Sequence, residues 1–197
     1  MAYPNKLLNI TKNLSDFSSL VELHFKTVPG TRELETKGQE LIAAGLTETL
    51  LRDFIDAVHS WGGSFRNYKK GIENAKVAHF QNALQALSVT PPMVERALSS
   101  LLEIYGLGIS YGSKHLRFLR PEFCPILDNV VWEEFKYSWN PKGYRMLQSD
   151  VMDAAKRLEE NNIANPMLRS NGRWFAGDVD MAIFACLQRN AKKPGWW

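Results

Sequence analysis

The sequence predicts an all-α fold, on three observations. Apolar residues recur at three- and four-residue intervals through nearly every segment, Pro, Gly and polar cap residues separate those segments, and no stretch shows the apolar-polar alternation of a half-buried strand pair. At 197 residues, 45% of them hydrophobic, the chain can bury one sizeable core or two closely joined lobes. It reads as one compact helical domain spanning 1–197, with no internal repeat and no low-complexity segment.

The first two helices are expected over Asp16–Phe25 and Thr31–Ala44, with Pro29-Gly30 between them. Thr47 caps the third, whose Leu50, Leu51, Phe54, Ile55 and Val58 make one apolar stripe, and Trp61-Gly62-Gly63 ends it. A basic turn with Arg66, Lys69, Lys70 and Lys76 accompanies a helical pattern from Ile72 to Leu87. Thr90-Pro91 reads as a threonine cap with proline at the first helical position, opening a helix that runs to Tyr105. After a glycine-rich turn comes a short apolar helix, then Asp128 as cap of a helix through Phe135 with Trp132 on its inward face. Asn140-Pro141 breaks the pattern before a long amphipathic helix over Tyr144–Glu160. Asn161–Asn171 is a polar connection to Trp174 and the C-terminal helix, and the closing Trp196 and Trp197 are expected to pack on the body.

Charge and composition exclude several function classes. A net charge of +3 suits a polyanion partner without demanding one, and its cations cluster in the basic turn, on the central helix (Lys114, His115, Arg117, Arg120) and at the end (Arg189, Lys192, Lys193). Each cluster taken alone is a solvated face. Cys124 and Cys186 are too few for a four-cysteine iron–sulfur cluster, and His24, His59, His79 and His115 form no paired metal motif. No metal or organic cofactor is expected. No apolar run approaches the ~18 residues that read as a membrane span, so the expectation is a cytoplasmic, monomeric protein with free thiols.

The stretch Tyr105–Trp132, YGLGISYGSKHLRFLRPEFCPILDNVVW, carries the chemistry. Gly106, Gly108 and Gly112 allow positive φ and close backbone approach, as a loop lying against a phosphate requires. Ser113 is a candidate cap, which would put Lys114 at the positive end of a helix, where dipole and burial both ease loss of its proton. A lysine so placed is a candidate nucleophile.

Gly112-Ser113-Lys114, the short helix, and Pro125-Ile126-Leu127-Asp128-Asn129-Val130-Val131-Trp132 together resemble the helix-hairpin-helix DNA glycosylase superfamily, in its 8-oxoguanine DNA glycosylase branch. The resemblance implies two closely packed helical lobes with the active site between them. It makes Lys114 the amine that attacks the deoxyribose C1′ and Asp128 the carboxylate that steadies the sugar cation. Ser110, Tyr111, Gly112, Ser113 and His115 would hold the DNA backbone. Two departures stand out: Ser110 occupies the first hairpin glycine, behind an additional Gly106-Leu107-Gly108, and the lysine-to-aspartate interval is short.

A second match lies far along the chain. Ala176-Gly177-Asp178-Val179-Asp180-Met181-Ala182-Ile183-Phe184 resembles the C-terminal helix of the same branch, where a glutamine reads the base edge and a phenylalanine stacks on the base. Those positions are Asp180 and Phe184, four apart and so on one helical face. Phe118, Trp61 and Trp132 complete the candidate base pocket, with Trp174 either core or wall. The implied activity is excision of a modified base from double-stranded DNA, with AP lyase chemistry. The default substrate is 8-oxoguanine; a hydroxymethylated or glucosylated cytosine, removed in defence against phage, is the alternative, because ionised Asp180 accepts hydrogen bonds where glutamine would also donate. A non-catalytic DNA-binding module that keeps only the hairpin is the rival reading.

Overall fold

The computed structural model describes residues 5–63, 70 and 73–190, and these are all-α, without strands. The helices are α1 (Asp16–Thr27), α2 (Thr31–Ala43), α3 (Glu48–Trp61), α4 (Val77–Ser88), α5 (Val94–Leu102), α6 (Ile109–Leu119), α7 (Asn129–Phe135), α8 (Pro141–Glu160) and α9 (Ala176–Asn190). Arg66, Lys69, Ile72, Lys192, Lys193, Trp196 and Trp197 lie outside the described residues.

Local cap chemistry fixes several of these boundaries. Thr47 accepts from the Leu50 N–H, Asp128 from the Val131 N–H and Asn140 from the Gly143 N–H, each satisfying a donor that the helix start would otherwise leave open. Pro141 sits in the first turn of α8, where its missing N–H costs nothing. Thr90-Pro91 does not open α5; the helix begins at Val94. Pro92 follows Pro91 directly and disfavours the α conformation there, so no helix can start at Pro91.

The packing order puts α6 in the middle. It lies against α2, α3 and α5; α5 packs on α4 and α8, and α9 packs on α8, α7 and α1. Gly38 brings the α2 backbone against the Phe118 carbonyl, and a Cβ at Gly112 would stand 2.8 Å from Leu98 Cδ1 on α5. α6 is thus clamped from two sides, and its residues from Tyr111 to Leu119 are all buried. Phe17, Phe54, Phe80, Phe118, Tyr144 and Trp174 belong to one continuous apolar cluster. Each such side chain withdrawn from water is worth about 1.5–3 kcal/mol. Trp174 is therefore core and not pocket wall, its indole N–H held by the Ile163 carbonyl at 2.8 Å.

The turn between α5 and α6 differs from expectation. Of the three glycines, Gly106 has positive φ (92°), whereas Gly108 is the extended residue preceding α6 and Gly112 lies inside that helix. Ser113 is therefore mid-helix and not a cap, and Lys114 sits one turn inside α6 and not at its positive end.

Candidate active site

α1, α2, the end of α3, α6, the segment 126–131 and α9 converge on a cavity of about 180 Å³. That is more than ten times the ~10–15 Å³ needed for one water. Lys114, Asp128, Asp180, Phe184, Phe118 and Trp61 all line it, although they come from four separate parts of the sequence.

Lys114 is 8% exposed, and its ammonium donates to Ser110 Oγ at 2.9 Å and faces Asp128 Oδ2 at 3.9 Å. Burial pulls its pKa below the ordinary lysine value, while the charges of Asp128 and Asp180 pull it back up. Of the two causes expected to ease deprotonation, burial is present and the helix terminus is not. Its stem passes Gly62, whose absent Cβ would be 3.2 Å from Lys114 Cδ and 3.1 Å from the Tyr111 ring. Tyr111 holds this corner in place, since its hydroxyl reaches the Gly62 and Gly63 carbonyls.

Asp128 is anchored through one oxygen and presents the other. Oδ1 accepts from the Val131 N–H at 3.1 Å, which caps α7, and Oδ2 is left to Lys114. Ser113 ties this segment to α6: its Oγ accepts from the Leu127 N–H at 3.0 Å and donates to the Ser110 carbonyl at 2.9 Å. The serine predicted to cap a helix instead fixes the register between Lys114 and Asp128.

Asp180 faces the same cavity from α9, with Oδ1 accepting from the Ile126 N–H at 3.1 Å. Burial raises its pKa to about 7, against the opposing pull of the Arg117 guanidinium and of that hydrogen bond. A carboxyl shifted this far can donate a hydrogen bond when protonated as well as accept one when ionised. Phe184 follows one turn later and meets the His24 ring edge-on at 5.9 Å. Also on the cavity wall, Trp61 and Phe118 meet edge-to-face at 4.8 Å, and the Trp61 indole donates to Thr31 Oγ1 at 3.1 Å.

Other candidates are placed elsewhere. Trp132 does not line the cavity; it is 38% exposed and packs edge-on against Trp139, because short α7 turns Val131 inward instead. Ser113 and His115 are wholly buried and Gly112 is packed against Leu98, so these three cannot meet a phosphate. Tyr111 is also buried, stacked on His59 at 4.4 Å. Ser110 borders the cavity, but its hydroxyl serves Lys114.

Arg117 and His24 line the cavity too, and neither was singled out as a site residue. Arg117, grouped in the sequence with a solvated basic face, is 1% exposed and pairs with Glu35 at 2.7 Å. Arg169 bridges Glu35 (2.9 Å) and Asp178 (2.7 Å), and Asp178 also accepts from Asn165 at 2.8 Å. Burial drives the Glu35 carboxyl upward, but the two guanidiniums outweigh it and hold it below the usual value. Gly177 belongs to this network, because a Cβ there would stand 2.5 Å from Arg117 Cζ. His24 is neutral, its pKa lowered to about 3 by burial and then by Arg117. The Thr31 hydroxyl donates to the Val28 carbonyl (3.1 Å), so the 3.2 Å contact with His24 Nε2 must be donated by the imidazole. The sequence signal was Arg117 standing between Leu116 and Phe118 in an apolar helix.

Among the described residues no group of His, Cys, Asp and Glu side chains could hold a metal ion, and no helix is long and apolar enough to cross a membrane. Comparison of the chain with protein-family profiles, curated proteins and solved structures finds no match in any of the three.

Proposed function

We propose that this protein is a DNA glycosylase with AP lyase activity, built as a helix-hairpin-helix enzyme in which α5, the turn at Gly106 and α6 form the hairpin. The observation that carries the reading is one cavity in which a water-poor lysine faces an aspartate across from a carboxyl and an aromatic ring. A backbone-binding module requires none of these four groups.

In this reading a modified nucleotide leaves the duplex and enters the cavity, its base between Phe184 and the Phe118–Trp61 pair. Lys114, as free amine, attacks C1′ while the glycosidic bond breaks, and the Asp128 carboxylate stabilises the charge that develops on the sugar. Opening of the sugar gives a Schiff base, from which the 3′ phosphate leaves by β-elimination. Backbone contacts fall to the residues of the hairpin that reach solvent, Tyr105 (66% exposed), Gly106, Gly108 and Ser110. The test is incubation with duplexes carrying 8-oxoguanine, hydroxymethylcytosine or its glucosylated form, with strand breaks resolved before and after hot alkali. Breaks at the modified position support the reading; intact strands in all three, together with no cleavage of an abasic duplex, remove it.

A further inference from the structure

The cavity holds two carboxyls, and one of them has no assigned chemical step. Asp128 divides its oxygens between the α7 cap and Lys114. Asp180 is held on one side only: Oδ1 is fixed by the Ile126 N–H, and the residue keeps 6% exposure on the cavity that it lines with Phe184. From this geometry we infer that Asp180 is the proton donor to the departing base, a catalytic acid in the reaction proposed above and not merely a reader of the base edge.

The charged and titratable groups around it are consistent with that role. Lys114 and Arg117 face it from α6, Asp128 from the segment before α7, Tyr144 from α8 and His24 from α1. His24 is held neutral, burial keeps the Tyr144 phenol protonated, and Arg117 is occupied by Glu35. Asp180, raised by burial to about 7, can both release and regain a proton near neutral pH. A carboxyl raised by burial beside a second one that faces a cation suits a division between an acid and an electrostatic partner.

The step balances. The Lys114 Nζ lone pair forms the bond to C1′, the glycosidic pair departs with the base, and the base takes the Asp180 proton. The secondary ammonium left on Lys114 then returns a proton to the Asp180 carboxylate, which restores the acid.

This inference rests on the glycosylase reading, and the experiment separates the two. Single-turnover excision of the 8-oxoguanine and glucosylated-cytosine duplexes is followed from pH 5 to 9 for wild type and Asp180→Asn, beside strand cleavage of a duplex with one abasic site. The amide keeps the acceptor for the Ile126 N–H, so the fold should hold. Wild-type excision should follow a bell in pH, one limb with a midpoint near 7 set by Asp180 and the other set by Lys114. Asp180→Asn should lose the limb near 7 and roughly 10²–10⁴-fold in excision, while abasic cleavage, which has no base to protonate, should be retained, its pH dependence moved toward acid by loss of the Asp180 charge beside Lys114. A variant that is slower but keeps the limb near 7 makes Asp180 a base reader and overturns the inference, as does an unchanged rate. Wild type that cleaves the abasic duplex but leaves both bases in place overturns it too while sparing the lyase; loss of both activities removes the glycosylase reading itself. If the variant also lost abasic cleavage, the wild-type profile decides, the absence of any limb near 7 counting against Asp180.

Discussion

Lys114 and His115 are neighbours on α6, and both are stripped of water, yet they meet opposite surroundings. Lys114 faces a cavity with Ser110, Asp128 and Asp180 around it. His115 faces Phe54, Phe80 and His59, with its Nδ1 hydrogen-bonded to the Tyr111 carbonyl at 2.6 Å and its pKa pushed down to about 3 by burial. The same desolvation acts on both. In the proposed reaction it readies an amine for attack, because there is room for a reactant and a carboxylate to meet it; on the other side it only fixes a neutral ring in the core. Burial becomes chemistry where it coincides with space and a partner.

The strongest way to break the contrast is on the ionic network behind the cavity. Glu35→Ala leaves the Arg117 guanidinium buried without its carboxylate and should cost about 3–5 kcal/mol of stability, read as the urea midpoint at constant slope. A loss below about 1 kcal/mol would show that Arg117 finds water or a new partner.

Asp128→Asn tests the chemical side. The amide oxygen can still cap α7, so folding should hold while single-turnover excision falls roughly 10²–10³-fold. An unchanged rate would return Asp128 to the role of cap.

Acid titration sharpens the core side. His24, His59 and His115 have folded values of about 3, 4 and 3, below the 6.5 of the unfolded chain, so their contribution is complete above pH 6.5 and is lost as pH falls toward 4. Asp180 acts in the opposite sense: its rise from 3.8 to about 7 favours the folded state in acid and costs stability between those values. Between pH 4 and 6.5 these four groups should give a stability that falls with acid at a slope near two protons, and Asp180→Asn should steepen it toward three. A flat denaturation midpoint across that window would show that the three imidazoles charge without unfolding the core.

The smallest effect is expected at Trp132. Trp132→Ala should change stability within about 0.5 kcal/mol and leave excision unaltered, whereas Trp61→Ala should slow excision of every base. Equal losses from both would place Trp132 at the DNA after all.

Caps were legible in the sequence because they are local: Thr47 and Asp128 each satisfy a donor within three residues, whereas Asn140, read only as a break, caps a helix that starts at Pro141 and not at Tyr144. The same local logic failed at Ser113, whose partners include Leu127, brought near only by the return of the chain. Spacing on α9 put Asp180 and Phe184 on one face, and they do share the cavity. What spacing could not show is the orientation of a helix buried on every side: nothing in the period of α6 distinguishes Lys114, facing space, from His115, facing core. Glu35, Arg117, Arg169 and Asp178 were hidden for the same reason, since their attraction joins positions far apart in sequence.

The central claim is that Lys114 forms a covalent bond with the sugar. Borohydride added during reaction with an abasic-site duplex, followed by digestion and mass spectrometry, should place the reduced DNA adduct on the peptide containing Lys114, and Lys114→Ala should give no adduct. An adduct on any other residue, or one that survives in Lys114→Ala at undiminished yield, would contradict the account.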